Sequence, residues 1–433
     1  LTYEDFARRL TASGIITDPW LGGAPRFREQ PVIVRADDAR RMYRAAEAVA
    51  EAYNELCLIV ADAPELLESF FCLTPYQRAM WMASRPLWHG IARADVFVTN
   101  EGLQIAELNC DTPTGEAEAI VMGSVAMREG YTDPNRRLES RIVDVAEAMW
   151  SATVLGQGAP PPDTPETRLR TLRASRSASV AGRERRAALL YPTEIPEDLS
   201  LVRLYKRAFE SRGWDLVLGS PYNLEHEPGG LSVFGERVSL VLRHYKTDWW
   251  TERQSAWDDE DVPDALPLEA PLEAMLAAML EGEVCVVNPF GAVVPQNKRA
   301  MAFMWEQIHR FSRKSQDTIR SLVPMTRRLD AFHTEQLLAE KDDWVLKSDY
   351  GAEGDEVVVG RWTTPDVWRE SLAHARPSRW IAQRFFEAKE NDAKESVNHG
   401  VFVLAGDAAG LYARVQRGAT DESALSVPLL VEG

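Results

Sequence analysis

The segment Arg93-Ala-Asp-Val-Phe-Val-Thr-Asn-Glu-Gly-Leu-Gln-Ile-Ala-Glu-Leu-Asn109 alternates polar and apolar residues on both sides of a turn. Asn100-Glu-Gly102 supplies the turn, so the two runs read as the strands of an antiparallel β-hairpin. Side chains two apart on a strand share a face, which groups Arg93 with Asp95 and Glu107 with Asn109. A hairpin centred on Glu101 sets Asp95 opposite Glu107 and Arg93 opposite Asn109. Four polar groups then project from one patch. Two carboxylates and an amide oxygen are hard donors that suit Mg²⁺, which shares its remaining positions with water and phosphate oxygens. Without a cation the facing carboxylates repel each other. Arg93 is placed either to pair with Glu107 or to neutralise a phosphoryl group. The same letters also fit a solvated hairpin face carrying an ordinary salt bridge.

Outward from the hairpin, residues 39–70 carry Met42, Ala45, Ala46, Val49, Ala50, Tyr53, Leu56 and Ile59 at helical spacing. They predict one or two amphipathic helices, and further helices are expected at 75–88, 115–129 and 136–152. Residues 155–185 open on Gly158-Ala-Pro-Pro-Pro-Asp-Thr-Pro165, continue rich in Arg and Ser, and read as a linker or surface loop. A strand at 187–191, a helix at 200–212 and short strands near 215–218, 231–243 and 284–288 then alternate as in a small α/β sheet domain. A new unit starts near Pro295, with a helix at 297–311 and strands at 343–348, 356–361, 379–386, 398–405 and 409–416. The expected organisation is therefore 1–154, helical and bearing the hairpin; 155–185, linker; 186–294, small α/β domain; and 295–433, a second lobe.

Composition narrows the chemistry. The 433 residues hold 66 acidic and 49 basic side chains, a formal net charge of −17. That field repels nucleic acid and anionic lipid, so neither is an expected partner. It also requires that any site for a polyanion be locally basic or recruit metal. Cys57, Cys72, Cys110 and Cys285 form no CxxC pair and no cluster with His, which points away from zinc and disulfides and towards a reducing cytoplasm. No apolar run is long enough to cross a bilayer, and no stretch reads as a signal peptide. Cys110, beside Asn109, reads as a small packing residue.

Several later motifs follow in order. His244-Tyr-Lys-Thr-Asp-Trp-Trp-Thr-Glu252 fits a buried aromatic cluster or a ligand contact equally well. Asn288-Pro-Phe-Gly291 and Asn297-Lys298 lead into a helix containing Trp305. Trp344-Val-Leu-Lys347 followed by Gly351-Ala-Glu-Gly354 reads as strand, lysine and glycine-bearing loop, where backbone N–H groups can approach phosphate oxygens. A plain hairpin turn gives the same letters, and no Walker A signature is present.

Taken together, R-x-D, hairpin, E-x-N and Asp111-Thr-Pro-Thr114, with these later motifs in the same order over roughly residues 90 to 430, resemble the synthetase half of the glutathionylspermidine synthase family. The resemblance implies a mixed α+β and α/β chain with an ATP-grasp-like fold, circularly permuted as in that family, and a small α/β pre-ATP-grasp-like domain. It implies that Asp95, Glu107 and Asn109 hold Mg²⁺, two ions in the family, and that Arg93 contacts the terminal phosphate. Thr112, Thr114 and Thr247 become substrate contacts. Lys298, Lys347, Gly351, Gly354 and Gln383 face ATP, with Gln383 near the adenine, and Arg414 stabilises the phosphorylated intermediate.

The implied activity is an ATP-dependent carboxylate–amine ligase acting on a small or peptide carboxylate and an amine, by way of an acyl phosphate. The alternatives are an ATP-binding partner of reduced activity and a phosphotransferase acting on a hydroxyl. This chain departs from the family at Ser348, where the family has Pro, and at Ala352, where it has an Arg near the glutathione end of its substrate. The amidase half with its nucleophilic cysteine has no counterpart here. These departures bear on the substrate rather than on ATP. Asp349, Glu353 and Asp355 add acids to a loop that should sit near phosphates.

Overall fold

The computed structural model describes residues 2–85, 87–154, 185–194, 198–351, 356–391, 393–418 and 424–433. The linker expected at 155–185 lies almost wholly outside them, as does Gly354. Among the described residues no helix is long and apolar enough to cross a membrane.

Two sheets position the chemistry. The first is antiparallel and five-stranded, in the order Leu425–Val427, Asp407–Gln416, Ser396–Leu404, Ile91–Val98, Leu103–Asn109. Its register sets Asp95 opposite Glu107 and Arg93 opposite Asn109. Beyond Asp95 the pairing shifts by one, so that Val96 faces Ile105 and Val98 faces Leu103. The turn is therefore not centred on Glu101, and Ala106 is the extra residue of a β-bulge. A bulge reverses the parity of a strand. Here it lets both Ile105 and Leu108 enter the core under the long helix Ala36–Asp62 while Glu107 stays on the opposite face. Unbroken alternation would have put Ile105 beside Glu107.

The same parity sorts the neighbouring strands. Ala92, Ala94, Val96, Val401 and Val403 pack in the core under the long helix, whereas Phe402, Leu404 and Tyr412 belong to a second core built with the helices Glu116–Ala126 and Leu138–Val154. Arg93 and Asp95 share that second face. Gly400 makes room for them: a Cβ there would lie 2.8 Å from Arg93 Cδ.

The second sheet is also antiparallel, in the order Thr326–Arg328, Trp380–Arg384, Trp344–Ser348, Val357–Val359. Trp344, Leu346, Trp380 and Ala382 turn to a tryptophan-rich core that also holds Trp368. Lys347 and Gln383 lie on the other face, towards the hairpin. The segment expected as one lobe, 295–433, is thus divided. Its strands from 326 to 384 form this sheet, and its strands from 396 to 427 complete the hairpin's sheet. The strand Leu429–Glu432 joins a third sheet beside Val32–Arg35 and Tyr131–Thr132. Linear boundaries miss this because the edge of the hairpin is satisfied only by strands from the far end of the chain.

The parallel sheet, in the order Cys285–Val287, Leu240–Arg243, Arg186–Leu190, Asp215–Gly219, is short and almost continuously apolar, as strands covered on both faces must be. Its strands all fall between residues 186 and 287. The helix Glu269–Leu280, which packs against the strands Leu224–Glu227 and Gly230–Val233, falls where the sequence reading expects no helix.

Candidate active site

Arg93 and Asp95 are both buried and form an ion pair, with Nε to Oδ1 at 2.9 Å and Nη2 to Oδ2 at 3.4 Å. Arg93 Nη1 donates to the Thr114 carbonyl at 2.7 Å. Of the two roles open to Arg93, pairing with Glu107 is not the one adopted, because Asp95 two residues along the strand is nearer. Asn398 Nδ2 donates to Asp95 Oδ2 at 3.0 Å, and Arg414 Nη2 approaches the same oxygen at 3.5 Å. Burial by itself raises a carboxyl pKa. Here Arg93 and Arg414, with hydrogen bonds from Arg93 and Asn398, hold Asp95 below its ordinary value. Burial likewise works against the charge of Arg93, and Asp95 outweighs it. Asp95 is ionised.

Glu107 differs. It is partly exposed, accepts from Asn109 Nδ2 at 3.2 Å, and has Lys298 Nζ 3.7 Å from Oε2. With its amide nitrogen turned to Glu107, Asn109 keeps Oδ1 available. Glu107 and Asn109 therefore present hard oxygen donors at the surface of the patch, with the ionised Asp95 behind them. That donor set fits Mg²⁺ and offers nothing soft for zinc or copper.

Two lysines reach this patch from different elements. Lys298 caps the helix Arg299–Glu306; its backbone N–H donates to Asp349 O at 2.9 Å and its Nζ to the Gly351 carbonyl. Lys347 Nζ approaches the carbonyl of the bulged Ala106 at 3.4 Å, and Gln383 Nε2 approaches the same oxygen at 3.5 Å. The bulge thus does a second job, turning one carbonyl out of the ladder towards the lysine sheet. Gln383 is buried and also donates to Thr326 Oγ1 at 3.2 Å. Asp349 is compensated by Arg379, whose Nη2 lies 2.7 Å from Oδ1. Glu353 and Asp355 lie outside the described residues.

Burial pushes the Lys347 pKa down to about 8, Lys298 adding to the effect while Glu107 and Asp95 oppose it. The sign of the linked stability follows. Unfolded lysine keeps its proton to about 10.5, so between about 8 and 10.5 the unfolded state binds more protons. Resistance to unfolding contributed by this group then rises with pH. We expect the urea midpoint of wild type, free of metal and nucleotide, to gain on that of Lys347→Met between pH 7.5 and 9.5. Parallel pH slopes in the two proteins would rule this out.

The remaining expected residues sit on the segment after the hairpin. Gln296 Oε1 accepts from Cys110 N at 2.8 Å and Asp111 N at 3.0 Å. Asp111 is buried between Arg243 Nη2, on Oδ1, and Thr247, whose backbone N and Oγ1 lie 2.7 and 3.1 Å from Oδ2. Thr247 is fully buried with its hydroxyl committed to Asp111, inside the cluster of Tyr245, Trp249, Trp250 and Phe290. It braces the segment and does not face open space. Thr112 and Thr114 remain partly exposed. Asn398, Gln296, Arg243 and Asp111 carry much of this geometry, and none is among the site residues that the sequence leads one to expect. For Asn398 a signal was present, since it lies two residues from Gly400 on the same strand face.

Residues 262–432 match the family model described as glutathionylspermidine synthase preATP-grasp. That match supports the family resemblance carried by the motifs. No curated protein matches the sequence. Among solved structures, a glutathione synthetase-like effector from Globodera pallida aligns over 99% of this chain and 95% of its own, with 10% identity and a TM-score of 0.52. A putative gamma-glutamylcysteine synthetase from Methylobacillus flagellatus aligns over 86% and 84%, at 13% identity and a TM-score of 0.42. A RimK-domain ATP-grasp protein from Sphaerobacter thermophilus aligns over 56% and 89%, at 17% identity and a TM-score of 0.31. The fold is mixed α/β of the ATP-grasp-like class.

Proposed function

We propose that this chain is an ATP- and magnesium-dependent ligase that joins a carboxylate to an amine through an acyl phosphate. The observation that carries the reading is the convergence of Lys298 and Lys347 on the oxygen-rich hairpin, at Glu107 and the Ala106 carbonyl. Cations from two elements facing a hard-oxygen patch suit a nucleoside triphosphate, whose phosphates need both. Magnesium, held by Glu107, Asn109 and Asp95, would supply further neutralisation of phosphate charge.

In this reading a carboxylate oxygen attacks the γ-phosphorus, and ADP leaves. The amine nitrogen then attacks the acyl carbon, the C–N bond forms, and phosphate leaves. Lys298 and Lys347 bind phosphate oxygens. Arg414, partly exposed and making a long contact with Asp95, is positioned to turn to the transferring group. Arg93, committed to Asp95 and Thr114, orients the hairpin against the segment bearing Thr112 and Thr114. Gly351 lies beside Lys298, whose Nζ donates to its carbonyl, and Gln383 belongs to the adenine side. No protein nucleophile is needed: Cys110 is fully buried and burial pushes its pKa up, away from thiolate reactivity. The four free thiols suit a reducing cytoplasm.

The test is product analysis after incubation with ATP, Mg²⁺ and a panel of acids, with and without amines. ADP together with an amide is the expected result. A phosphorylated alcohol would instead identify a phosphotransferase, and ATP binding without turnover a nucleotide-binding partner.

A further inference from the structure

Lys298 and Lys347 reach the hairpin from different elements, a helix start and a strand, so no short run of backbone fixes the distance between them. Asp349 joins those elements. It follows the strand Trp344–Ser348 directly, and its carbonyl accepts the Lys298 N–H at 2.9 Å. Its own N–H donates to Arg379 O at 2.7 Å, one step past the pairing of Ser348 with Trp380. One residue thus touches the elements that carry Lys298, Lys347 and Gln383. The joint is closed from a second side by Arg299, fully buried beside Lys298. Its Nη1 donates to Ser378 O at 2.7 Å and its Nε to Phe70 O at 2.8 Å.

The Asp349 carboxylate is almost completely buried, and Arg379 holds it. Arg379 Nε lies 2.8 Å from both carboxylate oxygens, and Nη2 lies 2.7 Å from Oδ1. A planar fork of this kind fixes orientation as well as charge. The remaining nitrogen, Nη1, donates to the Gln254 carbonyl. All three guanidinium nitrogens are engaged inside the protein, so Arg379 reaches a ligand only through Asp349. Burial works against its charge, and Asp349 outweighs it.

Without this arginine a buried carboxylate is left unpaired, which is costly enough to move it. Its movement carries the Asp349 carbonyl away from the Lys298 N–H. Binding groups must be held to within about 0.5 Å of their productive places, so a small shift at Asp349 matters.

We infer that Arg379 is a positioning residue for nucleotide binding: by clamping Asp349 it holds Lys298 and Lys347 at the spacing that the phosphates require. The inference rests on the ligase reading for its ligand, ATP. Arg379 makes and breaks no bond in the reaction.

Two measurements on the full chain test this. Hydrogen exchange without ligand reads the clamp itself. The Lys298 amide should exchange at least about 10-fold faster in Arg379→Ala than in wild type, while amides of the strand Ile91–Val98 are unchanged. Calorimetric titration reads its consequence. ATP with Mg²⁺ should bind Arg379→Ala about 10- to 100-fold more weakly than wild type, the scale of a misplacement of about 1 Å. Adenosine, which carries no phosphate, should bind both proteins alike. Arg379→Lys keeps the charge but loses the fork. Its ATP affinity should fall between the two, and it covers the case in which the alanine variant does not fold. Wild-type ATP affinity in both variants would overturn the inference, as would unchanged exchange at Lys298 or an equal loss of adenosine binding, which marks general damage to the lobe. Failure of the ligase reading is separately visible, as a lack of amide product in a protein whose ATP affinity still depends on Arg379.

Discussion

Glu107→Ala is expected to lower ATP-dependent ADP formation by at least about 100-fold while leaving the fold unchanged. The size comes from losing the oxygen ligand proposed for magnesium and the partner of Lys298 together; removal of even one well-placed group around a metal or a developing charge costs about 10- to 1000-fold. The small cost to folding comes from its surroundings. Glu107 is partly exposed, and its structural contacts are one hydrogen bond from Asn109 and a long approach from Lys298, a kind of pair that contributes about 1 kcal/mol or less. Asp95→Asn makes the complementary case, because Asp95 is the buried anion between Arg93, Asn398 and Arg414. Its loss should reduce turnover and stability together. Steady-state ADP release at saturating ATP, alongside thermal unfolding, separates the two variants. Wild-type turnover in Glu107→Ala would sink the metal assignment and, with it, the proposed chemistry.

The legible part of this molecule was local. The spacing of Arg93, Asp95, Glu107 and Asn109 gave their cross-strand pairing because period-2 geometry and a turn signal are properties of neighbouring residues. The bulge at Ala106 was not read, although Ile105 and Leu108 are both apolar and cannot share a face of a regular strand. What lay beyond reach was pairing over long separations. The strand Ser396–Leu404 lies against Ile91–Val98, and nothing in either sequence names the other. Asp95 therefore acquires Asn398 and Arg414 from some three hundred residues away. Thr247 shows the same dependence on packing. Its motif fits a buried aromatic cluster or a ligand contact equally well; in the structure its hydroxyl completes the hydrogen bonding of Asp111, and a hydroxyl's partner is set by tertiary packing.

Arg243→Ala is expected to destabilise the protein by about 3–5 kcal/mol, the cost of removing one member of a buried ion pair. The Arg243 side chain is fully buried. Its Nε donates to Asn288 O at 3.1 Å, Nη1 to Tyr245 O at 2.7 Å, and Nη2 to Asp111, while its guanidinium lies 5.1 Å from the Phe290 ring centroid. Truncation strands the Asp111 carboxylate on Thr247 alone and leaves carbonyls of the Asn288 turn without their donor. The damage should also reach function, because Asp111 and Gln296 together fix the segment between the hairpin of Glu107 and Asn109 and Thr112. Urea unfolding of Arg243→Ala, Asp111→Ala and the double variant forms a cycle that isolates the pair. The double variant should be more stable than the two single losses added together, since no charge is then left buried alone. A loss below about 1 kcal/mol in Arg243→Ala, or strict additivity in the cycle, would show that this pair does not brace the site.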